Sequence, residues 1–397
     1  MYILVINPQR LGHLDVLLPI VLQLRKDNPN IFLQIIYFEI EQFEILKRNK
    51  FLFEMIEKVG EAKFLKSPGK KGSLIRKFFL SLKLFPTLFK ILRQDYVIYF
   101  QWKNINHIMS KCISLIVSMR GKTLTYQPMN NHYLEEMRRH FDEYGLPRTE
   151  RVVRLRENQF RKKIDVGDSA LINSVDSLNY FAMMGLSNFN IIGYTHLYPE
   201  YINYTHKYYL NHLITEVPID DPKNHIIYGI FVNKYWGRWG GRDDSWFIEK
   251  FCEVVESLRE IGGNPTILVR SHPTLTTDII QKAIKRTKYN EIYETHLHPT
   301  IIGIASKAVI GLSESTSYHY VMGAGSPYID YGGMRPENYV LFPEGSLNAS
   351  YGTIVAVDKD ELTEKLLNEA LLNESVKNYK PLLKHKMNLS VFKKSKW

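Results

Sequence analysis

The sequence predicts an α/β fold made of two Rossmann-like parallel-sheet domains facing across a cleft. Three observations lead there. Short apolar runs alternate with helical patterns from the first residues onward. That alternation lapses once, around residues 194–222, and then restarts. Two apolar runs, Ile267-Leu-Val-Arg-Ser-His-Pro273 and Val309-Ile-Gly-Leu-Ser-Glu-Ser-Thr-Ser317, break into polar residues just where a helical pattern begins. Strand ends that feed helix starts are where open α/β sheets hold ligands. At 397 residues the chain is long for one core, and two domains are the natural expectation.

Taken in order, Tyr2–Ile6, 31–37, 96–100, 123–126 and 170–173 read as strands, and 191–193 as the last strand of the first domain. Residues 14–26, 104–119 and 176–184 have helical spacing. Residues 128–168 are polar and Arg-rich, with a helix near 132–144, and are expected to line or cover the cleft. In the second half, strands are expected at 226–232, 266–269, 308–311, 328–331 and 353–357. Helices are expected at 245–261, 277–287, 299–306, 315–324 and 359–372. The domain limits that follow are 1–195, a linker over 196–222, a second domain over 223–375 and a basic tail over 376–397.

Composition removes several function classes. Two cysteines, Cys112 and Cys252, exclude a disulfide framework and suit a reducing compartment. No apolar run reaches the length of a membrane span, and the N-terminus reads as a strand, so a cytoplasmic location is expected. The net charge of +11 is local: residues 62–94 carry nine Lys or Arg and no acid, and the stretch after Glu374 carries seven lysines and no acid. The rest of the chain is slightly acidic. In 74–93 the basic residues mix with large aliphatic and aromatic ones, which suits a segment lying on an anionic membrane surface. The same pattern suits a core helix with snorkelling lysines, broken near Pro86. A nucleic-acid partner is not expected, because the patch lacks base-reading Asn and Gln.

The chemistry-bearing residues fall at strand ends. Asn7-Pro-Gln-Arg-Leu-Gly-His-Leu14 follows the first strand; Gly12 would let the backbone turn into the helix and aim His13 into the cleft. An imidazole there could accept a proton from a hydroxyl near neutral pH; a helix-capping loop with a solvated histidine is the other reading. In the second half, Ser313, Ser315 and Thr316 open a helical pattern whose amide groups suit a phosphate. Glu314 between them could reach a sugar hydroxyl or serve as a cap. Asn233-Lys-Tyr-Trp-Gly-Arg-Trp-Gly-Gly-Arg-Asp243 offers Arg238 and Arg242 as bidentate donors, and Trp236 or Trp239 as a stacking surface. The thirteen histidines show no metal-ligand spacing; His296 and His298 would share a face of a strand, without a Cys or carboxylate cluster beside them.

These motifs resemble the GT-B class of glycosyltransferases. The Gly12-His13 loop is similar to the glycine-rich loop that opens many of them. Arg270-Ser-His-Pro273 resembles the His-Pro motif of bacterial surface-polysaccharide transferases, including sialyltransferases and CDP-glycerol-type polymerases. Ser315-Thr316, followed by Gly325-Ser-Pro-Tyr-Ile-Asp330, resembles that group's paired hydroxyls, helix and small-Pro-apolar strand. The resemblance implies that the second domain binds a nucleotide-sugar donor through Arg270, His272, Pro273, Ser313, Ser315 and Thr316, with a lean toward cytidine nucleotides. It implies a glycan or lipid-linked acceptor at the first domain, a role in capsule or lipopolysaccharide synthesis, and neither cofactor nor metal. There are departures. The family's acidic-acidic-Gly motif is interrupted in Asp142-Glu143-Tyr144-Gly145, and the Glu-x7-Glu pattern of many retaining members fails at Met322. The base, with His13 and Glu314 as candidates, and the stereochemical outcome stay open. A UDP-sugar 2-epimerase of the same fold and a non-catalytic basic binding protein are the alternatives.

Overall fold

The computed structural model describes residues 1–8, 11–66, 74–101, 108–126, 168–173, 188–219, 221–222, 224–233, 242–271, 277–312, 315, 317–333, 344–346, 348–384 and 386–393. The chain separates into two compact units, Met1–Tyr201 with His385–Trp397, and Ile202–Lys384.

The first unit holds β1 (Tyr2–Ile6), α1 (Leu11–Asp27), β2 (Phe32–Tyr37), α2 (Ile40–Arg48), α3 (Lys50–Val59), β3 (Gly60–Phe64), α4 (Leu74–Leu92), β4 (Val97–Gln101), α5 (Ile108–Ser118), β5 (Gly121–Tyr126), β6 (Ser169–Ile172) and β7 (Phe189–Ile191). Its strands form one parallel sheet in the order β3-β2-β1-β4-β5-β6-β7. Tyr2, Leu4, Val97 and Tyr99 of the sheet bury against Leu84 and Ile91 of α4 and Ile113 and Val117 of α5. β3 was not expected. As an edge strand it needs little apolar sequence, and Gly-Glu-Ala-Lys-Phe is only half-buried.

Helix α4 runs through Pro86 without the expected break. Pro86 is exposed, so water can satisfy the carbonyl that loses its amide partner. Leu84, Thr87 and Ile91 face the core, at helical spacing. Phe85, Phe89 and Leu92 repeat the same spacing on the outside.

A helix α6 (Pro199–Glu216) occupies most of the expected linker, and the boundary between the units falls inside it. Its first turn belongs to the first unit: the Glu200 amide donates to Gln23 Oε1 at 3.3 Å, and the Glu200 carboxylate pairs with Lys26 at 3.0 Å. Its last residue belongs to the second unit: Glu216 Oε2 accepts from Thr295 Oγ1 at 2.7 Å and from the His296 amide at 3.0 Å.

The second unit continues with β8 (Ile227–Val232), α7 (Asp244–Glu260), β9 (Thr266–Ser271), α8 (Thr277–Thr287), β10 (Ile292–Thr295), α9 (Pro299–Ala305), β11 (Ala308–Leu312), α10 (Tyr318–Gly323), β12 (Tyr328–Tyr331), β13 (Ile354–Ala356), α11 (Lys359–Leu367), α12 (Glu369–Lys377) and α13 (Lys380–Lys384). Its parallel sheet has the order β10-β9-β8-β11-β12-β13. That is the doubly wound 3-2-1-4-5-6 arrangement, whose order reverses between β8 and β11. Ile230, Val232, Ile267 and Ile310 bury against Phe247, Phe251 and Val254 of α7.

The basic tail is not a free appendage. After α13 the chain rejoins the first unit, where the Asn388 amide donates to Ile192 O at 3.3 Å and Val391 and Phe392 are buried. The helices expected at 132–144 and 176–184, and the stretch 128–168 apart from its last residue, lie outside the described residues.

Candidate functional site

In a doubly wound sheet the ligand crevice lies beyond the carboxyl ends of the strands where their order reverses. In the second unit that is the end of β8 and β11, so Asn233 and Ser315 stand at the switch point. Register alignment builds the floor beneath it. Arg270, Phe231, Gly311 and Asp330 are paired in turn across β9, β8, β11 and β12, so they share one face in a single row.

Each member of the row is held by its neighbours. Arg270 is half-buried: its Nε donates to Leu297 O at 3.0 Å and its guanidinium lies 5.9 Å over the Phe231 ring. Gly311 has no room for a side chain, because a Cβ there would stand 2.1 Å from the Tyr328 hydroxyl. Asp330 is buried and accepts from Ser346 Oγ at 2.6 Å, Thr353 Oγ1 at 3.0 Å and Asn348 Nδ2 at 3.2 Å. Burial pushes its carboxyl up to about 6, against the pull of those three donors.

Ser315 is half-buried at this edge, and its Oγ accepts from the Ser317 amide at 3.2 Å. The helix expected from 315 begins only at Tyr318 and is six residues long. Ser315 bonds its neighbour two residues on, a turn that competes with helix initiation. Ser315 is therefore a turn residue ahead of the helix, and its hydroxyl already holds the Ser317 amide. Arg242 precedes α7, its guanidinium 5.5 Å over the Trp246 ring. Asp243 caps that helix by accepting from the Trp246 amide at 2.8 Å. Trp246 reaches the edge of the sheet: a Cβ on Gly332, just after β12, would meet its ring at 2.9 Å, and the backbone φ of +91° there suits glycine.

In the first unit the tight turn after β1 falls at Asn7, not Gly12. Asn7 has a φ of 47°; its amide donates to Ile36 O at 2.6 Å and its Oδ1 accepts from the Phe38 amide at 3.3 Å. Asparagine tolerates this left-handed conformation because its short amide bonds locally. Gly12 lies in the first turn of α1 with open space around it, and half-buried His13 follows it there. The order of the first sheet also reverses at β1, so His13 stands just beyond that unit's own switch point.

Arg238, His272, Pro273, Ser313, Glu314 and Thr316, with Trp236 and Trp239, lie outside the described residues. His298 is not on a strand. β10 ends at Thr295, and His298 caps α9, its Nδ1 accepting from the Thr300 amide at 3.2 Å. Among the described residues no group of three or more His, Cys, Asp or Glu is placed to hold a metal ion. The sequence reading missed Tyr328, Phe231 and Asp330 as parts of the floor. The one signal in the sequence was Gly311, a glycine inside an apolar strand, which marks close approach by another group.

A scan against protein-family models and a search of curated proteins both return no match. Solved structures do match in shape. UDP-GlcNAc 2-epimerase from Neisseria meningitidis bound to UDP-GlcNAc superposes with a TM-score of 0.52 at 12% identity, over 96% of this chain and 94% of that one. TcCGT1 in complex with UDP gives 0.51 at 11% identity, over 96% and 93%. Anabaena Alr3699/HepE in complex with UDP and glucose gives 0.48 at 11% identity, over 97% and 95%. With two parallel, doubly wound α/β units along almost its whole length, the chain has the GT-B fold.

Proposed function

We propose that this protein is a nucleotide-sugar-dependent glycosyltransferase whose donor site is the switch-point edge of the second sheet. The observation that carries the reading is the placement of Arg270 near the end of β9 and of Ser315 just beyond β11, at the carboxyl ends of the strands, in a fold whose solved neighbours include complexes with UDP or UDP-GlcNAc. Guanidinium groups and hydroxyl donors suit a leaving phosphate, which needs charge stabilisation as the glycosidic bond breaks. His272, Pro273, Ser313, Thr316 and Arg238 are proposed to complete the donor site, and Gly12 to lie at the acceptor. His13 is proposed to take the acceptor's hydroxyl proton, with Glu314 the second candidate for that role. No metal or cofactor enters this scheme.

Thermal-shift titration with UDP, CDP, CMP and GDP tests the reading. A nucleotide that binds only the folded state stabilises it by about 2.7 kcal/mol at a hundred times its dissociation constant. The neighbours favour UDP, and the His-Pro resemblance favours the cytidine nucleotides. If none of the four raises the melting temperature, the reading is wrong.

The epimerase likeness supports a second reading, a 2-epimerase acting on the same donor. The two part company in what happens to a nucleotide sugar without an acceptor. For the acceptor we propose a glycan or lipid-linked sugar of a bacterial surface polysaccharide, reached from the inner membrane surface through α4. That helix presents Phe85 at 63% and Phe89 at 46% exposure, beside exposed Lys83, Lys90 and Arg93. Apolar side chains flanked by cations suit an anionic bilayer surface. Among the described residues no helix is long and apolar enough to cross a membrane.

A further inference from the structure

We propose that Glu216 is a positioning residue of the donor site: acting through Thr295, it fixes the turn whose Leu297 carbonyl orients the Arg270 guanidinium for a nucleotide phosphate. The inference rests on the nucleotide-sugar reading of this edge and adds residues that the reading does not use.

Register brings the parts together. Thr295, the last residue of β10, pairs with Arg270 of β9, so the turn that follows β10 lies beside the Arg270 side chain. Arg270 Nε donates to Leu297 O at 3.0 Å, and the guanidinium lies 5.9 Å over the Phe231 ring. The bond fixes the plane of the fork and the ring limits its tilt, so the side chain keeps one direction. A fork set in advance binds an anion with less ordering cost than a mobile one.

A carbonyl can orient an arginine only if its own peptide is held, and this one is anchored on both sides. On the β10 side, the Leu297 amide donates to Thr295 Oγ1 at 3.0 Å, a side-chain turn across two residues. On the α9 side, His298 Nδ1 accepts from the Thr300 amide at 3.2 Å, and its ring meets Tyr320 edge-on at 5.4 Å. Thr295, Leu297 and His298 are all buried.

The direction of the Thr295 hydroxyl follows from its proton. A hydroxyl has one proton and two lone pairs. The Leu297 amide takes a lone pair, and the proton goes to Glu216 Oε2 at 2.7 Å, which also accepts from the His296 amide at 3.0 Å. A carboxylate is a stronger acceptor than a neutral oxygen, and it polarises the hydroxyl that it holds. Its place in the chain is otherwise unfavourable. Glu216 closes α6, whose last turn has no basic residue, so its charge meets the negative end of the helix dipole. The helix gains nothing from a glutamate there; the donors of residues 295 and 296 account for it.

Calorimetric titration with the tightest binder among UDP, CDP, CMP and GDP tests this, in the wild-type chain, Glu216→Ala, Glu216→Gln, Thr295→Val, Arg270→Lys and Glu216→Ala/Arg270→Lys. Glu216→Ala and Thr295→Val should each weaken the nucleotide about five- to tenfold. Glu216→Gln, which still offers an acceptor oxygen, should stay within about twofold of the wild type. Arg270→Lys keeps the charge and loses the fork, and in that background Glu216→Ala should add no further loss. Hydrogen exchange of the Arg270 Nε–H, read by nuclear magnetic resonance and assigned by its absence from Arg270→Lys, should quicken in Glu216→Ala with no nucleotide present. A glutamate that only secured α6 would leave that exchange unchanged. If Glu216→Ala melts far below the wild type, Thr295→Val, alone and with Arg270→Lys, makes the same comparison from outside the helix. Wild-type affinity in the folded variants, equal losses with and without Arg270, or unchanged exchange overturns the inference and leaves the nucleotide reading standing. A wild-type chain that binds none of the four nucleotides overturns both.

Discussion

Asp330 shows what one side chain can do near the carboxyl end of the second sheet. Its carboxylate is buried with no cationic partner among the described residues, and three neutral donors from 346, 348 and 353 hold the following segment to the sheet. The folded state keeps its proton up to about 6, whereas the unfolded chain releases it near 3.8. Folding is therefore favoured by this group below the lower value, and the advantage is lost as pH rises through the upper one. The cost at neutral pH is roughly 3 kcal/mol. Asp330→Asn removes the charge at constant shape, so its stability relative to wild type should improve steadily between about pH 4 and 7. Denaturant unfolding across that range reads the difference, and parallel profiles for the two proteins would dismiss the account. Ser315 was legible as a hydroxyl at a strand end. Its use as a turn residue was not, because the competing bond to Ser317 depends on local backbone geometry rather than on residue type.

Among the elements, α4 carries the clearest division of labour. One stripe of Leu84, Thr87 and Ile91 secures it to the first sheet, and the opposite stripe leaves two phenylalanines in water. Arg93 lies 4.0 Å over the Phe89 ring, so the cation is already drawn to the apolar stripe. Exposed phenylalanines contribute little to folding, so Phe85→Ser/Phe89→Ser should melt like the wild type. It should bind vesicles containing phosphatidylglycerol at least about tenfold more weakly. Equal sedimentation of both proteins with those vesicles would remove the membrane role from α4. Strands were legible in proportion to their burial. β1, β8 and β11 are central and apolar on both faces, and their sequences announce them. β3 and β10 are edge strands with polar members, Glu61 and Lys63 in one and Glu294 in the other, and period-two reading passes over them.

For the molecule as a whole, the two sheets repeat one winding order, and each reverses at its first strand. Such a fold hosts many chemistries, so function has to be argued from the site and tested on the substrate. A nucleotide sugar incubated alone should come back unchanged, or only slowly hydrolysed, and should be consumed when a glycan acceptor is added. Nuclear magnetic resonance of the sugar ring reads this directly, and a 2-epimer formed without acceptor would decide for the second reading. The sequence by itself determined the class of fold, the order of most strands and helices, and the strand-end residues Arg270 and Ser315, because burial periodicity and turn chemistry are local properties of the chain. Only the tertiary structure decided that the turn after β1 belongs to Asn7, that the basic tail returns to the first unit, and that the Tyr328 ring lies over Gly311. Those facts depend on the register between separate strands and on what each side chain meets across the sheet, and no local pattern encodes either.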